Sequence, residues 1–319
     1  MSILRYGILS TSSIAPRFIA AVRAAGAGEV VAVSSRTLEK AEEMAEAWQV
    51  PNAFGSHLEM LQDARINIVY ISSVNSQHFP LAKLALEMGK HVVCEKPCTT
   101  SFSHTKELFA LAREKGLFFM EAQKMLFLPV MVEVRKRICE GYLGQIHMAQ
   151  MSHSFSAEYN AWQFDKALGG GTLLSSGIYA VELLLWLFGG IESVSGVKSA
   201  YADGTEWQYV LSGKMENGVL FSIKNSTRVS LDNTAYIYGT EGYVEIPAYW
   251  KARKATFYRN GCLPETVEFP CQYELIYEAE HIQKCIDNGI TESPVMTQRL
   301  TLSGIVALEE IMRAWNDNK

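Results

Sequence analysis

Through the first third of the chain, short apolar runs alternate with stretches of helical periodicity. Arg5–Leu9 reads as a strand, and a helical pattern follows from about Ser13 to Ala25. Val30–Val33 is a second apolar run, with Leu38–Trp48 helical behind it. Ser56-His-Leu-Glu59 has the spacing of a capping box opening a short helix. Asn67–Ser72 is another buried strand; the helix after it is expected to hold Pro80 in its first turn and Gly89 just past its end. His91–Cys94 and Leu117–Ala122 are the last two strands, separated by a helix over Ser103–Lys115 that Gly116 closes. Such alternation predicts an α/β fold: a doubly wound parallel sheet with helices on both faces.

After Pro129 the grammar changes. One helix (Val130–Glu140) leads into strand-like runs at 145–155, 194–200, 209–215, 219–225, 235–238 and 256–258. Glu216-Asn217-Gly218 and Asn260-Gly261 are hairpin turn signals between them. Helices are confined to Leu173–Phe188, Glu274–Asn288 and Thr297–Trp315. Strands grouped apart from helices predict an α+β domain with a large, mostly antiparallel open sheet. The expected division is 1–123 and 124–319.

Length agrees: 319 residues suggest two domains at roughly 150 residues each. The hydrophobic share, 48%, is enough for a sizeable core, and a net charge of −5 without a basic face argues against nucleic acid. The most apolar stretch, Thr172–Gly190, carries Glu182 and several glycines and is not expected to cross a membrane. The first residues show no charged leader before an apolar block. Six scattered cysteines without a C-x-x-C pair read as reduced thiols, so the cytoplasm is the expected compartment. The histidines have no metal-ligand spacing, and no metal is expected.

Between the first strand and first helix lies Gly7-Ile-Leu-Ser10-Thr11-Ser12-Ser13-Ile14-Ala15. A dinucleotide fold places its pyrophosphate there, on amide groups and a helix N-terminus. Against G-x-G-x-x-[GA], the aligned residues are Ser10, Ser12 and Ala15, so both leading glycines are missing. The hydroxyls of Ser10 to Ser13 offer donors to phosphate instead; the other reading is an ordinary loop whose helix Ser13 caps. The second strand ends in Ser34-Ser35-Arg36, without the carboxylate that holds a ribose. A guanidinium and a hydroxyl suit a 2′-phosphate, which favours NADP over NAD if a dinucleotide binds. A surface arginine before a helix capped by Thr37 is the alternative.

Gly89-Lys-His-Val-Val-Cys94-Glu95-Lys96-Pro97 delivers a lysine to the carboxyl end of the sheet, where open α/β folds bind ligands. Lys96 precedes a proline, so its backbone is extended and a cis bond is accessible. With Asn75-Ser-Gln-His78, Met120-Glu121-Ala122, Trp162-Gln-Phe164-Asp165 and Gly169-Gly-Gly-Thr-Leu-Leu-Ser175-Ser-Gly177-Ile-Tyr179, the chain resembles the glucose-fructose oxidoreductase / inositol dehydrogenase (Gfo/Idh/MocA) family over nearly its whole length. The run after Glu121 departs from that family at Gln123, Lys124 and Leu126.

The resemblance implies an N-terminal Rossmann domain and a C-terminal domain for substrate and self-association. It implies that Lys96 takes part in proton transfer or substrate binding and that Pro97 is cis. Cofactor contacts would come from Ser10, Thr11, Ser12, Ser13, Ile14, Ser35, Arg36, Ser73, Asn75, His78, Glu95, Lys96 and Pro97. Substrate contacts would come from Lys96, Glu121, Trp162, Ser175 and Tyr179. Sugar dehydrogenases of the family carry Asp and His where this chain has Ser175 and Tyr179. Tyrosine there resembles the trans-dihydrodiol / D-xylose dehydrogenase branch, in which it is the proposed acid/base. On elementary grounds Tyr179 reads equally as a core tyrosine, Trp162 as packing and Glu95 as a brace for Lys96. The function expected is NADP-dependent hydride transfer to or from a secondary alcohol or carbonyl of a sugar, polyol or vicinal diol. The alternative is a non-catalytic dinucleotide-binding regulator on the same fold. The implied partners are a small-molecule substrate and a second copy of the chain, as a homodimer or higher homo-oligomer.

Overall fold

The computed structural model describes residues 3–155 and 161–317. The chain divides into two compact units, Met1–Lys124 with Gln272–Leu302, and Met125–Cys271 with Ser303–Lys319.

The first unit is built on β1 (Arg5–Leu9), α1 (Ala15–Ala25), β2 (Glu29–Ser34), α2 (Leu38–Ala47), β3 (Ala53–Phe54), α3 (His57–Gln62), β4 (Ile68–Ile71), α4 (Asn75–Glu87), β5 (His91–Glu95), α5 (Phe102–Lys115) and β6 (Phe119–Ala122). The six strands are all parallel, in the order β3-β2-β1-β4-β5-β6. The order reverses between β1 and β4, which makes their carboxyl ends the expected ligand crevice. Continuous burial of Ile68–Ile71 and of Val92–Cys94 follows from helices covering both faces. α1 turns Phe18, Ile19 and Val22 inward and ends on Gly26 at φ +60°, a left-handed cap where glycine carries no Cβ penalty.

Several local expectations change. α1 begins at Ala15 with Ile14 at its N-cap and no side-chain cap, so Ser13 does not cap it. Thr37 precedes α2 without a capping hydrogen bond. Ser56 does accept from the Glu59 amide at 3.4 Å, as the capping-box spacing implies. α4 starts at Asn75, so Pro80 lies inside the helix and not in its first turn. The larger departure is the return of 272–302 to this unit. Its helix, Ile276–Asp287 (α8 in chain order), buries Ala279, Ile282 and Cys285 and packs against α1. Beyond it, the Phe119 amide donates to the Thr291 carbonyl at 3.2 Å, which covers the open edge of β6.

The second unit holds α6 (Pro129–Cys139), β7 (Ile146–Ser154), α7 (Ile178–Phe188), β8 (Ile191–Ala200), β9 (Glu206–Met215), β10 (Leu220–Ser226), β11 (Thr234–Gly239), β12 (Gly242–Pro247), β13 (Lys254–Arg259) and β14 (Glu265–Glu268); α9 (Gln298–Asp317) runs into it from Leu302. The eight strands order as β14-β13-β12-β11-β7-β10-β9-β8, antiparallel except for the β7–β10 pair. Register puts one apolar row on one face: Leu211 pairs Ile223, Ile223 pairs Met151, and Ile237 pairs both Ala149 and Val244. Within Lys166–Phe188, the window apolar enough to cross a membrane by length and composition is mostly buried. β12 and β14 were not visible in the sequence pattern, and 173–188 opens as a π-helical turn (Leu173–Gly177) before α7.

Candidate active site

The loop from β1 to α1 has the features a phosphate needs. α1 lacks both a side-chain cap and an acidic residue in its first turn, so its leading amides and dipole are left for an anion. The buried Ser12 Oγ has no hydrogen-bond partner among the described residues. Ser10 takes φ +93°, a region glycine enters freely and other residues rarely do. Its amide donates to the Ser34 carbonyl at 3.0 Å, tying the loop to the end of β2. Thr11 Oγ1 and Ser35 Oγ approach to 3.5 Å.

Beyond β2, exposed Arg36 opens on a pocket of about 510 Å³ shared with Thr37, Phe54, Gly55, Ser56 and Glu59. Beneath it Ser34 Oγ and His57 Nδ1 are 2.8 Å apart. Burial, and then the Arg36 charge, push the His57 pKa down. His57 gave no signal in the sequence, since nothing local ties it to β2.

At the carboxyl ends of β4 and β5 the predicted residues do gather. The Lys96–Pro97 bond is cis. His78 is buried, with Nδ1 2.8 Å from the Pro97 carbonyl oxygen and Nε2 3.0 Å from that of Ser73. Burial lowers the His78 pKa, opposed by those two carbonyls. It therefore braces the lysine loop against the end of β4. Asn75 is buried at the start of α4. Glu95 accepts the Tyr70 hydroxyl on Oε1 and the Lys96 amide on Oε2, the latter at 3.3 Å. Tyr70 is set for this by Phe18, whose ring stacks on it at 3.7 Å. Glu121, fully buried on β6, accepts the Cys98 amide at 2.8 Å and so supports the same turn from below. Met120, Met125 and Met131 are buried core side chains, as the sequence suggests.

In the second unit the triple glycine is a folding device. Gly170 and Gly171 donate to the Asp165 and Gln163 carbonyls at 2.9 and 2.8 Å, locking the Trp162–Asp165 turn onto this segment. A Cβ on Gly170 would lie 2.6 Å from the Gln163 carbonyl oxygen. Gly171 has φ +112°, and a Cβ there would meet the Glu206 carboxyl at 2.5 Å. That carboxylate accepts the Leu173 amide at 2.8 Å, and burial raises its pKa. Ser175 and Tyr179, one helical turn apart, are buried on the π turn and on α7. Trp162 is half-buried on its 3-10 turn. His153, read as structural, stacks on Trp250 at 3.8 Å, with the Tyr179 ring centroid 6.5 Å away.

A doubly wound parallel sheet with an uncapped helix at its switch point, and a cis Lys96–Pro97 turn at the end of β5, is the architecture of a dinucleotide-binding fold. Residues 4–123 match the oxidoreductase family with an NAD-binding Rossmann fold, and 131–245 match the GFO/IDH/MocA C-terminal domain. The chain belongs to the Gfo/Idh/MocA family of NAD(P)-linked oxidoreductases. Curated relatives include trans-1,2-dihydrobenzene-1,2-diol dehydrogenases from Mus musculus, 34% identical, and Homo sapiens, 32% identical, each alignment covering 98% of this chain and 96% of the relative. Among solved structures, levoglucosan dehydrogenase in complex with NADH and levoglucosan superposes with a TM-score of 0.89 at 19% identity, covering 100% of this chain and 98% of that one. A 3-ketoreductase from Actinomadura kijaniata with NADP and TDP-benzene also gives 0.89, at 21% identity and 98% coverage of both.

Proposed function

We propose that the protein is an NADP-dependent oxidoreductase acting on a secondary alcohol or carbonyl of a sugar, polyol or vicinal diol, working in the cytoplasm. The observation that carries this is the lysine loop. Lys96 stands at the carboxyl end of β5 on a turn braced by His78, Glu95 and Glu121, which is more support than a surface lysine needs. Bound NADP would supply the hydride chemistry. Ser12, Ser13 and the first amides of α1 hold its pyrophosphate, and Arg36 with Ser35 takes the 2′-phosphate. Lys96 exchanges a proton with the substrate oxygen, a contribution typically worth about 10²–10⁴-fold. Tyr179 is assigned the companion acid/base role and Ser175 and Trp162 substrate contacts, on the family resemblance. The diol dehydrogenases among the relatives support a vicinal diol as the first substrate class to test.

The test is a fluorescence titration with NADPH and NADH, followed by turnover assays on trans-1,2-dihydrobenzene-1,2-diol, D-xylose and levoglucosan, with Lys96→Ala as control. NADPH binding tighter than NADH, and turnover that falls at least 100-fold in Lys96→Ala while NADPH binding persists, is the expected result. Tight NADPH binding without turnover of any candidate favours the regulator, and NADH binding as tightly as NADPH overturns the Arg36 assignment.

A homodimer formed through the outer face of the eight-stranded sheet is part of the same proposal. That face exposes Val197 (72%), Val210, Leu220 and Met148. Across β11, β12 and β13 it carries a tyrosine ladder in which Tyr243 stacks on Tyr258 at 4.6 Å. Apolar area of this kind marks an interface. A scattering mass of one chain at micromolar concentration would refute it.

A further inference from the structure

Three side chains of the second unit form a polar row that neither the phosphate cradle nor the lysine loop uses. Asn225 of β10 pairs in register with His153 of β7 on one side and with Tyr209 of β9 on the other, so all three project from the same face of the sheet. Each is buried, and each meets the segment that carries Ser175 and Tyr179. The Tyr209 hydroxyl lies against Gly177, where a Cβ would strike it. Asn225 Nδ2 donates to Ser176 Oγ at 2.7 Å, and Tyr209 Oη accepts from the same nitrogen at 3.4 Å. Ser176 Oγ in turn donates to the Thr172 carbonyl at 3.1 Å, one turn back. The His153 ring, stacked on Trp250, has its centroid 6.5 Å from that of Tyr179.

The segment these side chains hold is the π turn, Leu173–Gly177. Such turns are rare, wider than an α turn and concentrated at functional sites, so this one calls for a partner outside its own helix. Asn225 is that partner. For packing alone a leucine of the same shape would serve better. The amide is only 2% exposed, and its Oδ1 has no hydrogen-bond partner among the described residues, a cost that an apolar side chain avoids.

We propose that Asn225 is a positioning residue: set by Tyr209 and gripping Ser176, it fixes the π turn and with it the directions in which Ser175 and Tyr179 face the substrate. The inference rests on the reading of Ser175 and Tyr179 as substrate-facing groups. Relaxation toward an α turn moves the hydrogen-bond ladder by one residue, which changes the angle between those two side chains about the helix axis. A displacement of about 1 Å in a positioned group costs up to about 10²-fold in rate.

The experiment compares Asn225→Leu, which keeps the shape and removes the donor, with Ser176→Ala, which breaks the same bond from the other side, and with the double variant. Each full-length protein is followed by amide exchange with mass spectrometry, by thermal unfolding, and by turnover of trans-1,2-dihydrobenzene-1,2-diol, D-xylose and levoglucosan with NADP. Exchange across residues 173–179 should quicken about 5- to 10-fold in either single variant, while peptides from β7 and β9 keep the wild-type rate. The kcat should fall about 10- to 100-fold with the KM for NADP unchanged. The double variant should match the singles, because the same bond is lost only once. Should Asn225→Leu not fold, Ser176→Ala carries the same comparison. Unchanged exchange across 173–179, a loosened turn with kcat intact, or faster exchange spread over the whole sheet overturns the proposal. A wild type that turns over none of these substrates sinks the redox reading alone, and the exchange comparison still decides whether Asn225 holds the turn.

Discussion

Ser10 offers a direct test of how the phosphate loop is built. Its φ of +93° is the conformation that the missing first glycine of the dinucleotide fingerprint would supply without strain. A non-glycine residue held in such a region costs on the order of 1–3 kcal/mol. A glycine there forfeits roughly 0.5–1 kcal/mol through its freer unfolded chain. The balance predicts that Ser10→Gly stabilises the protein by about 1 kcal/mol. Ser10→Ala removes the same hydroxyl but keeps the Cβ, so it should stay within about 0.5 kcal/mol of wild type. Thermal and urea unfolding measure both variants; the expected gain for Ser10→Gly is about 2–4 °C in Tm at this domain size. Amide exchange across residues 10–15 locates the change. Since both variants lose the hydroxyl, any difference between them in NADPH affinity reports the backbone alone. Ser10→Gly no more stable than Ser10→Ala would show that the loop is relaxed with serine and would refute the reasoning.

Other expectations follow from the same geometry. Arg36→Ala should weaken NADPH about 10- to 100-fold by removing a charge-assisted contact, and leave NADH nearly unchanged; equilibrium titration checks it. Gly170→Ala should destabilise by about 2 kcal/mol, since the backbone carbonyls its Cβ would strike cannot swing aside. His281, hydrogen-bonded to Ser293 at 2.8 Å, has its pKa lowered by burial to about 4. The unfolded state then binds the proton more readily, so stability is complete above pH 6.5 and is lost as pH falls toward 4. For this partly exposed ring the loss should be about 1–2 kcal/mol. Urea unfolding at pH 7 and pH 5 should show it, and His281→Gln should flatten that part of the slope.

The two sheets were legible because their strands obey simple periods. β4 and β5 are continuous apolar runs, as a sheet covered on both faces requires, and β9 and β10 flank an Asn-Gly turn. β3, two residues long, and β14, without apolar alternation, carry no such period. Pro80 misplaced the start of α4 because a proline inside a helix and one in its first turn read alike without the capping geometry. The lysine loop was visible as a local motif. The surroundings of Lys124 were not: Glu274 pairs with it from about 150 residues further along the chain, and no pattern in the first 124 residues announces α8.

The return of residues 272–302 to the first unit also bears on how the protein is made. A nascent chain of 124 residues has all six parallel strands but lacks the helix that seals α1 and the segment that closes the β6 edge. Domains that are contiguous can finish in order as they leave the ribosome. Here the portion begun first is completed among the last, and an isolated N-terminal fragment should expose a sticky strand edge until the late segment arrives.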